Sequence, residues 1–276
     1  MSNALDLRRF LVAPGRRLVG LKGVVNSGFR AVSESTSILM RHKVALRQAF
    51  VSCVSEGVNI NCKDMLILTF LDLTESDATV EEIVDELKST GYFISLEVIR
   101  PIVEGLLADT ISHPLVAGKN RIVILRDLGY RGLLTEIRKL FGTGGETLLY
   151  HVGFTTGTEF GKLHRETAQS VNLKDPINIF ESVSAVMFRW AGFGVMEVEE
   201  LTADGGVIVV RDSFECELGK NSATVYSQFV RGIIAGILAE LFGYGFNVVE
   251  EECIAKGDHV CMFRVKAMPQ MKPTGP

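Results

Sequence analysis

The 276-residue sequence has no apolar run near the roughly 20 residues that a membrane span requires. Its longest hydrophobic stretches are short and interrupted by charge. The opening MSNALDLRRF lacks the apolar core of a secretory signal, so a cytoplasmic location is expected. Basic excess is missing too. The formal net charge of −4 disfavours a direct nucleic-acid partner, because phosphate neutralisation needs a basic face. Arg8, Arg9, Arg16 and Arg17 cluster near the start and read as a solvated strand face. There is no dinucleotide fingerprint and no phosphate-binding loop; GTGGE (142–146) lacks the Lys-Ser/Thr ending and follows a helical pattern, so it reads as a helix cap and loop. Cysteine is scarce and odd in number: Cys53, Cys62, Cys216, Cys253 and Cys261. Such a set fits reduced thiols, some of them metal-bound, better than a disulfide framework.

What is present is the composition of a packed globular chain, 47% hydrophobic and 22% charged, with room for two domains. From Arg16 the pattern alternates strand, helix, strand, strand, helix, strand. RRLVGLKGVV is β-like, and NSGF (26–29) is a turn in which Gly28 is free to take positive φ. Phe29, Val32, Thr36, Leu39 and Met40 then recur at helical spacing. VALRQAFVSCV and MLILTFLDLT are β-rich. Thr79 and Glu82 form a capping box ahead of the apolar stripe Val80, Ile83, Val84 and Leu87. YFISLEVI closes the unit.

That βαββαβ order with a glycine turn resembles the ACT domain over about residues 8–101. The resemblance implies a ferredoxin-like regulatory module that pairs protomers side by side and binds an amino acid at the turn, here Asn26 and Gly28. The usual Asp-x-Pro-Gly is Val25-Asn26-Ser27-Gly28 in this chain, which keeps the glycine alone. Pairing without any amino acid is the alternative.

Beyond the link SHPLVAG, RIVILRD reads as a strand and YRGLLTEIRKLFG as an amphipathic helix burying Leu133, Ile137, Leu140 and Phe141. Gly153, Gly157 and Gly161 fall every fourth residue on the next helix, as Gly232 and Gly236 do on a later one. A helical glycine costs about 1 kcal/mol relative to alanine, so something must approach the backbone closely: another helix, or a slender apolar ligand. GVMEVEEL, GGVIVVRDSFECEL, FNVVEEECIA and VCMFRVK read as strands. A hairpin centred on Gly257 sets Cys253 opposite Cys261, close enough for both sulfurs to reach one zinc ion. Paired free thiols remain the other reading.

The RDSFECE, RGIIAG and EEEC…KGD…C…F segments together resemble the 4-vinyl-reductase-type domain, over about residues 115–267, with 268–276 a flexible tail. The resemblance implies a mixed α/β domain of helices on an antiparallel sheet that binds a small hydrophobic molecule. It also implies a structural zinc held by three cysteines and one glutamate. Carried over, Cys253, Cys261 and Glu250 match three ligands, and the remaining cysteine position falls at Ser227. Cys216, from a neighbouring strand, or His259 completes the set. Strand parity separates Glu250 from Cys253 and favours Glu251, unless a bulge intervenes. Phe188 or Trp190 occupies the place of the family's phenol-binding histidine, and Val210 that of its tryptophan, which disfavours a phenol. With Gly153 and Gly157, these are the expected ligand-lining positions.

The whole chain is thus expected to be α+β, a homodimer, and a non-enzymatic ligand-sensing regulatory protein. The alternative is an enzyme or biosynthetic accessory factor acting on a hydrophobic substrate through His151 or His164.

Overall fold

The computed structural model describes residues 5–54 and 63–268, in two compact units, 1–123 and 124–276. Each is a mixed α/β arrangement with helices and antiparallel strands.

The first unit contains β1 (Phe10–Val12), β2 (Leu18–Asn26), α1 (Phe29–Arg41), β3 (Ala45–Cys53), β4 (Asp64–Asp72), α2 (Val80–Ser89), β5 (Phe93–Ile99), β6 (Leu106–Ala108), and a two-stranded ribbon, β7 (Val116–Ala117) with β8 (Asn120–Arg121). The βαββαβ order read from the sequence is present from β2 to β5. Its sheet runs β3-β4-β2-β5 with every neighbour antiparallel. Alternation sends Val19, Leu21 and Leu71 into one core with Ile38, Ile83 and Leu87 of the helices. Leu18, Leu68, Phe70 and Ile99 form a second core with Leu107 of β6 and Leu11 of β1, so a short ribbon the sequence pattern did not reveal covers the other face. The Thr79–Glu82 capping box starts α2 as expected. The face of α1 differs from expectation: Ala31 and Ile38 are buried while Phe29 and Met40 stand exposed. The N-terminal arginines are tied down, Arg9 to Asp109 and Arg17 to the Ser76 carbonyl, so they are not simply a solvated face.

The second unit begins with an unbroken helical run: α3 (Asp127–Tyr130), a π turn (Arg131–Thr135) and α4 (Glu136–Phe141). Then come α5 (Thr143–Ser170), α6 (Pro176–Ile179), a second π turn (Phe180–Ser184), α7 (Ala185–Trp190), β9 (Val195–Leu201), β10 (Gly205–Arg211), α8 (Phe214–Leu218), α9 (Gln228–Phe242), β11 (Phe246–Glu252) and β12 (Cys261–Ala267). The sheet order is β11-β12-β10-β9, antiparallel throughout.

Several expectations are corrected here. The RIVILRD stretch contributes only Arg121 to a strand. In the first helical run Leu134 is buried, whereas Leu133, Leu140 and Phe141 are exposed. A π turn takes an extra residue per turn, which rotates the face that a uniform 3.6 period assigns. Gly142 (φ 54°) does cap α4, but Thr143 already opens α5, so GTGGE is no loop.

The glycines pack helix on helix. A Cβ at Gly153 or Gly157 would lie 2.2 Å from the carbonyl oxygens of Phe229 and Ile233 on α9. In return, one at Gly232 would lie 2.2 Å from the Tyr150 oxygen and one at Gly236 2.1 Å from that of Phe154 on α5. Backbone fills the gap, so Gly153 and Gly157 are packing positions and their assignment to a ligand is withdrawn. This contact frees α9 to be apolar all round, with Val230, Ile233, Ile234, Ile237 and Leu238 buried. Replacing Gly157 or Gly236 by Ala should therefore destabilise the chain by about 2 kcal/mol or more despite alanine's better helix propensity. Gly144→Ala, where nothing lies within 4 Å, should not. Chemical denaturation of the three variants is the check.

Candidate metal centre

The strand β10 ends just before Asp212, whose φ of 52° turns the chain out of the sheet. Ser213 caps α8, and this five-residue helix points Cys216 inward. The sequence pattern puts Cys216 on a strand; the positive φ at Asp212 explains why it is not. From the other side, β11 carries a register shift between Glu250 and Glu252, the bulge needed to bring Glu250 onto the face of Cys253. Past the bulge the Ile254–Lys256 turn and Gly257 (φ 106°) return the chain to Cys261.

The result is a tetrad. Ligand atoms of Cys216, Glu250, Cys253 and Cys261 all lie within 4.8 Å of one another, and all four residues are buried. Cys216 Sγ is 3.5 Å from Cys253 Sγ and 3.3 Å from Cys261 Sγ. Sulfurs tetrahedral about a zinc at about 2.3 Å are about 3.8 Å apart, so the thiols need to open by roughly half an ångström at most. Backbone amides of Tyr226 and Ile254 point at the Cys253 and Cys261 sulfurs at 3.4 Å each, the partners a thiolate wants. Ser227, at the family's third cysteine position, is drawn in as well. Its Oγ donates to Glu250 Oε1 at 2.7 Å and sits 2.9 Å from Cys216 Sγ, while its amide reaches Glu250 Oε2 at 3.1 Å. Glu251 faces outward in an ion pair with Arg264, and His259 is exposed, so neither reserve ligand joins the tetrad.

Without a metal the cluster is electrostatically uneasy. Burial pushes the Glu250 carboxyl up to about 8. Hydrogen bonding to Cys253 drives the Cys216 thiol up to about 12, and donation from Cys216 and Cys261 draws Cys253 down. Three sulfurs and a carboxylate in a closed, soft donor set suit zinc. Cys216, Cys253 and Cys261 are free thiols, whereas Cys53 is disulfide-bonded, which corrects the reading of all thiols as reduced; Cys62 lies outside the described residues.

Beside the tetrad, Glu215 is wholly buried. It pairs with Arg138 of α4 and accepts from the amides of Phe229 (3.1 Å) and Val230 (2.8 Å) at the start of α9. Burial pushes its carboxyl up, and Arg138 and the amides pull it back. Arg138 also donates to the Tyr226 carbonyl at 2.7 Å and lies 3.9 Å over that ring.

The outward face of α8 lines a pocket with an empty volume of about 650 Å³, part of it open to solvent. Phe214 and Leu218 of α8 meet Leu125, Tyr130 and Phe193 there, with Asp127 and Glu217 among the lining. Of the expected ligand positions, Phe188 is buried against Phe193, ring centroids 5.3 Å apart, directly behind the lining. Val210 is buried in β10, and Trp190 is 64% exposed outside the pocket. In the first unit Gly28 takes φ 52° as foreseen and Asn26 closes β2, its amide bonded to the Tyr92 carbonyl. The pocket of that unit, about 580 Å³ of empty volume between α1 and the sheet, is lined by neither Asn26 nor Gly28. His164 is a satisfied core histidine, Nδ1 3.0 Å from Ser184 Oγ, while His151 is exposed. No helix among the described residues is long and apolar enough to cross a membrane.

Residues 207–267, which contain all four members of the tetrad, match the family model of the 4-vinyl-reductase domain. Two uncharacterized proteins of Methanocaldococcus jannaschii are each 29% identical to the chain. One match runs over 125 residues, 45% of this chain and 66% of that protein; the other runs over 147 residues, 51% and 80%. The chain thus spans just under two thirds of the first relative. Among solved structures, the phenol-responsive sensory domain of the transcription activator PoxR with phenol is 17% identical, with a TM-score of 0.48 over 56% of this chain and 81% of that one. A vinyl-4-reductase family protein from Methanocaldococcus jannaschii is 24% identical, with a TM-score of 0.38 over 54% and 85%.

Two outcomes test this environment. Arg138→Met strands the buried Glu215 and should lower stability by about 3–5 kcal/mol in chemical denaturation. Burial holds the His164 pKa at about 4 against an ordinary 6.5. Between those values the unfolded chain binds the proton and the folded one does not, so stability falls as pH drops from 6.5 to 4, by about 3 kcal/mol in total. In His164→Gln this part of the pH dependence should vanish, read as the difference between the two stability–pH profiles.

Proposed function

We propose that this chain is a non-enzymatic ligand-sensing regulatory protein whose second unit holds a small hydrophobic molecule next to a structural zinc. The observation that carries the reading is the double use of α8. Cys216 on its inner side belongs to the tetrad, while Phe214 and Leu218 on its outer side line the pocket. The family match over residues 207–267 supports it, since the 4-vinyl-reductase-type domain resembles small-molecule-binding modules. Cys216, Cys253, Cys261 and Glu250 hold the zinc. With four protein ligands the ion has no open position and is structural, fixing α8 and the β11–β12 turn. The first unit is the ACT-like module: it pairs protomers into a homodimer and offers the Asn26–Gly28 turn to an amino acid. The protein works in the cytoplasm.

Native mass spectrometry of the full chain should show one zinc per protomer. Cys253→Ser should lose the metal and lower the melting temperature by about 5 °C or more, since structural sites contribute folding energy directly. Chelation should weaken binding of a benzene-sized apolar probe to the wild type, because the pocket wall loosens with α8. A metal-free wild type, or a Cys253→Ser variant that melts unchanged, refutes the zinc assignment.

A further inference from the structure

The pocket beside α8 carries a charge signature that narrows its ligand. Three aromatic rings stand together in its lining: Tyr130 and Phe214 are 5.2 Å apart edge-on, and Phe193 and Phe214 are 5.1 Å apart. Asp127 and Glu217 are the charged residues among them, and no lysine, arginine or histidine lines the space. Neither carboxylate makes a side-chain hydrogen bond or ion pair among the described residues. Arg126, Arg131 and Lys220 are near in sequence but lie outside the lining. Ring faces attract a cation through their quadrupole, and an unpaired carboxylate at a cavity adds to that field. The same two carboxylates repel an acid.

We propose that this pocket binds an organic cation of aromatic or short aliphatic build, an amine protonated at neutral pH, with Tyr130, Phe193 and Phe214 around its apolar body and Asp127 and Glu217 at its ammonium end. The proposal rests on the small-molecule reading above and adds the charge class to it. It also accounts for what the lining lacks: a phenol or a carboxylic acid finds no cationic or imidazole donor there.

Three probes of one shape separate the classes: 2-phenylethylammonium, 2-phenylethanol and phenylacetate, titrated into the full chain at pH 7 by calorimetry. Fluorescence of Trp190, the single tryptophan, gives a second readout, since it directly precedes Ala191 of the lining. The ammonium should bind about tenfold more tightly than the alcohol, and the carboxylate more weakly than either. In the double variant Asp127→Asn, Glu217→Gln, both exposed positions, the ammonium should fall to the level of the alcohol while the alcohol is unchanged. If the alcohol or the acid binds as well as the ammonium, or the double variant keeps the preference, the cation assignment is overturned and the apolar pocket stands. If none of the three binds at millimolar concentration, both readings are overturned.

Discussion

A single buried carboxylate organises the second unit. Glu215 has no access to water and satisfies itself with Arg138 from α4 and two amides at the start of α9, so three separate helices converge on it. An anion at a helix N-terminus is favoured by the unpaired amides and the helix dipole. A buried ion pair adds little net stability, but breaking it is expensive, which makes it a device for fixing geometry. What it fixes is the placement of α8. The residue next along, Cys216, is thereby delivered to the tetrad, and its neighbours to the pocket.

The glycine contact between α5 and α9 supplies the other half of that geometry. Because backbone meets backbone there, α9 is held close along its length. Its N-terminal end then presents Ser227 to Glu250 and Cys216. Ser227 stands where the related domains are expected to place a thiolate, and here it acts as a hydroxyl between two ligand atoms. Cys216 replaces the missing sulfur from a different element. The donor set keeps its size and softness while its topology shifts.

The parts legible in the sequence were those written in period and turn chemistry. The β2–β5 order follows from alternation and a capping box, and the β11–β12 pair from Gly257. The four ligands were nameable because two cysteines flank a hairpin and one spare cysteine remained. Three features resisted, each for a physical reason. The two π turns shift the helical period without any marker residue, so the buried face was assigned to Leu133 when Leu134 holds it. Helix α8 reads as strand because SFECE continues a β-rich run, and only the positive φ at Asp212 breaks it. The short β1–β6 ribbon joins segments about a hundred residues apart, a pairing that local pattern does not encode.

With α8 shared, metal and ligand are thermodynamically tied. A zinc bound by Cys216 restrains the helix that also forms the pocket wall, so the bound pocket needs less ordering when the metal is present. If zinc raises affinity for a pocket ligand by some factor, the ligand must raise affinity for zinc by the same factor, because the coupling free energy belongs to both sites. The hinge for such coupling is short: Asp212 at one end of α8 and Gly219 at the other, with Glu215 anchored between them. Glu215 therefore limits how far α8 can move, and any signal that leaves the pocket through this helix passes by its contacts with α4 and α9.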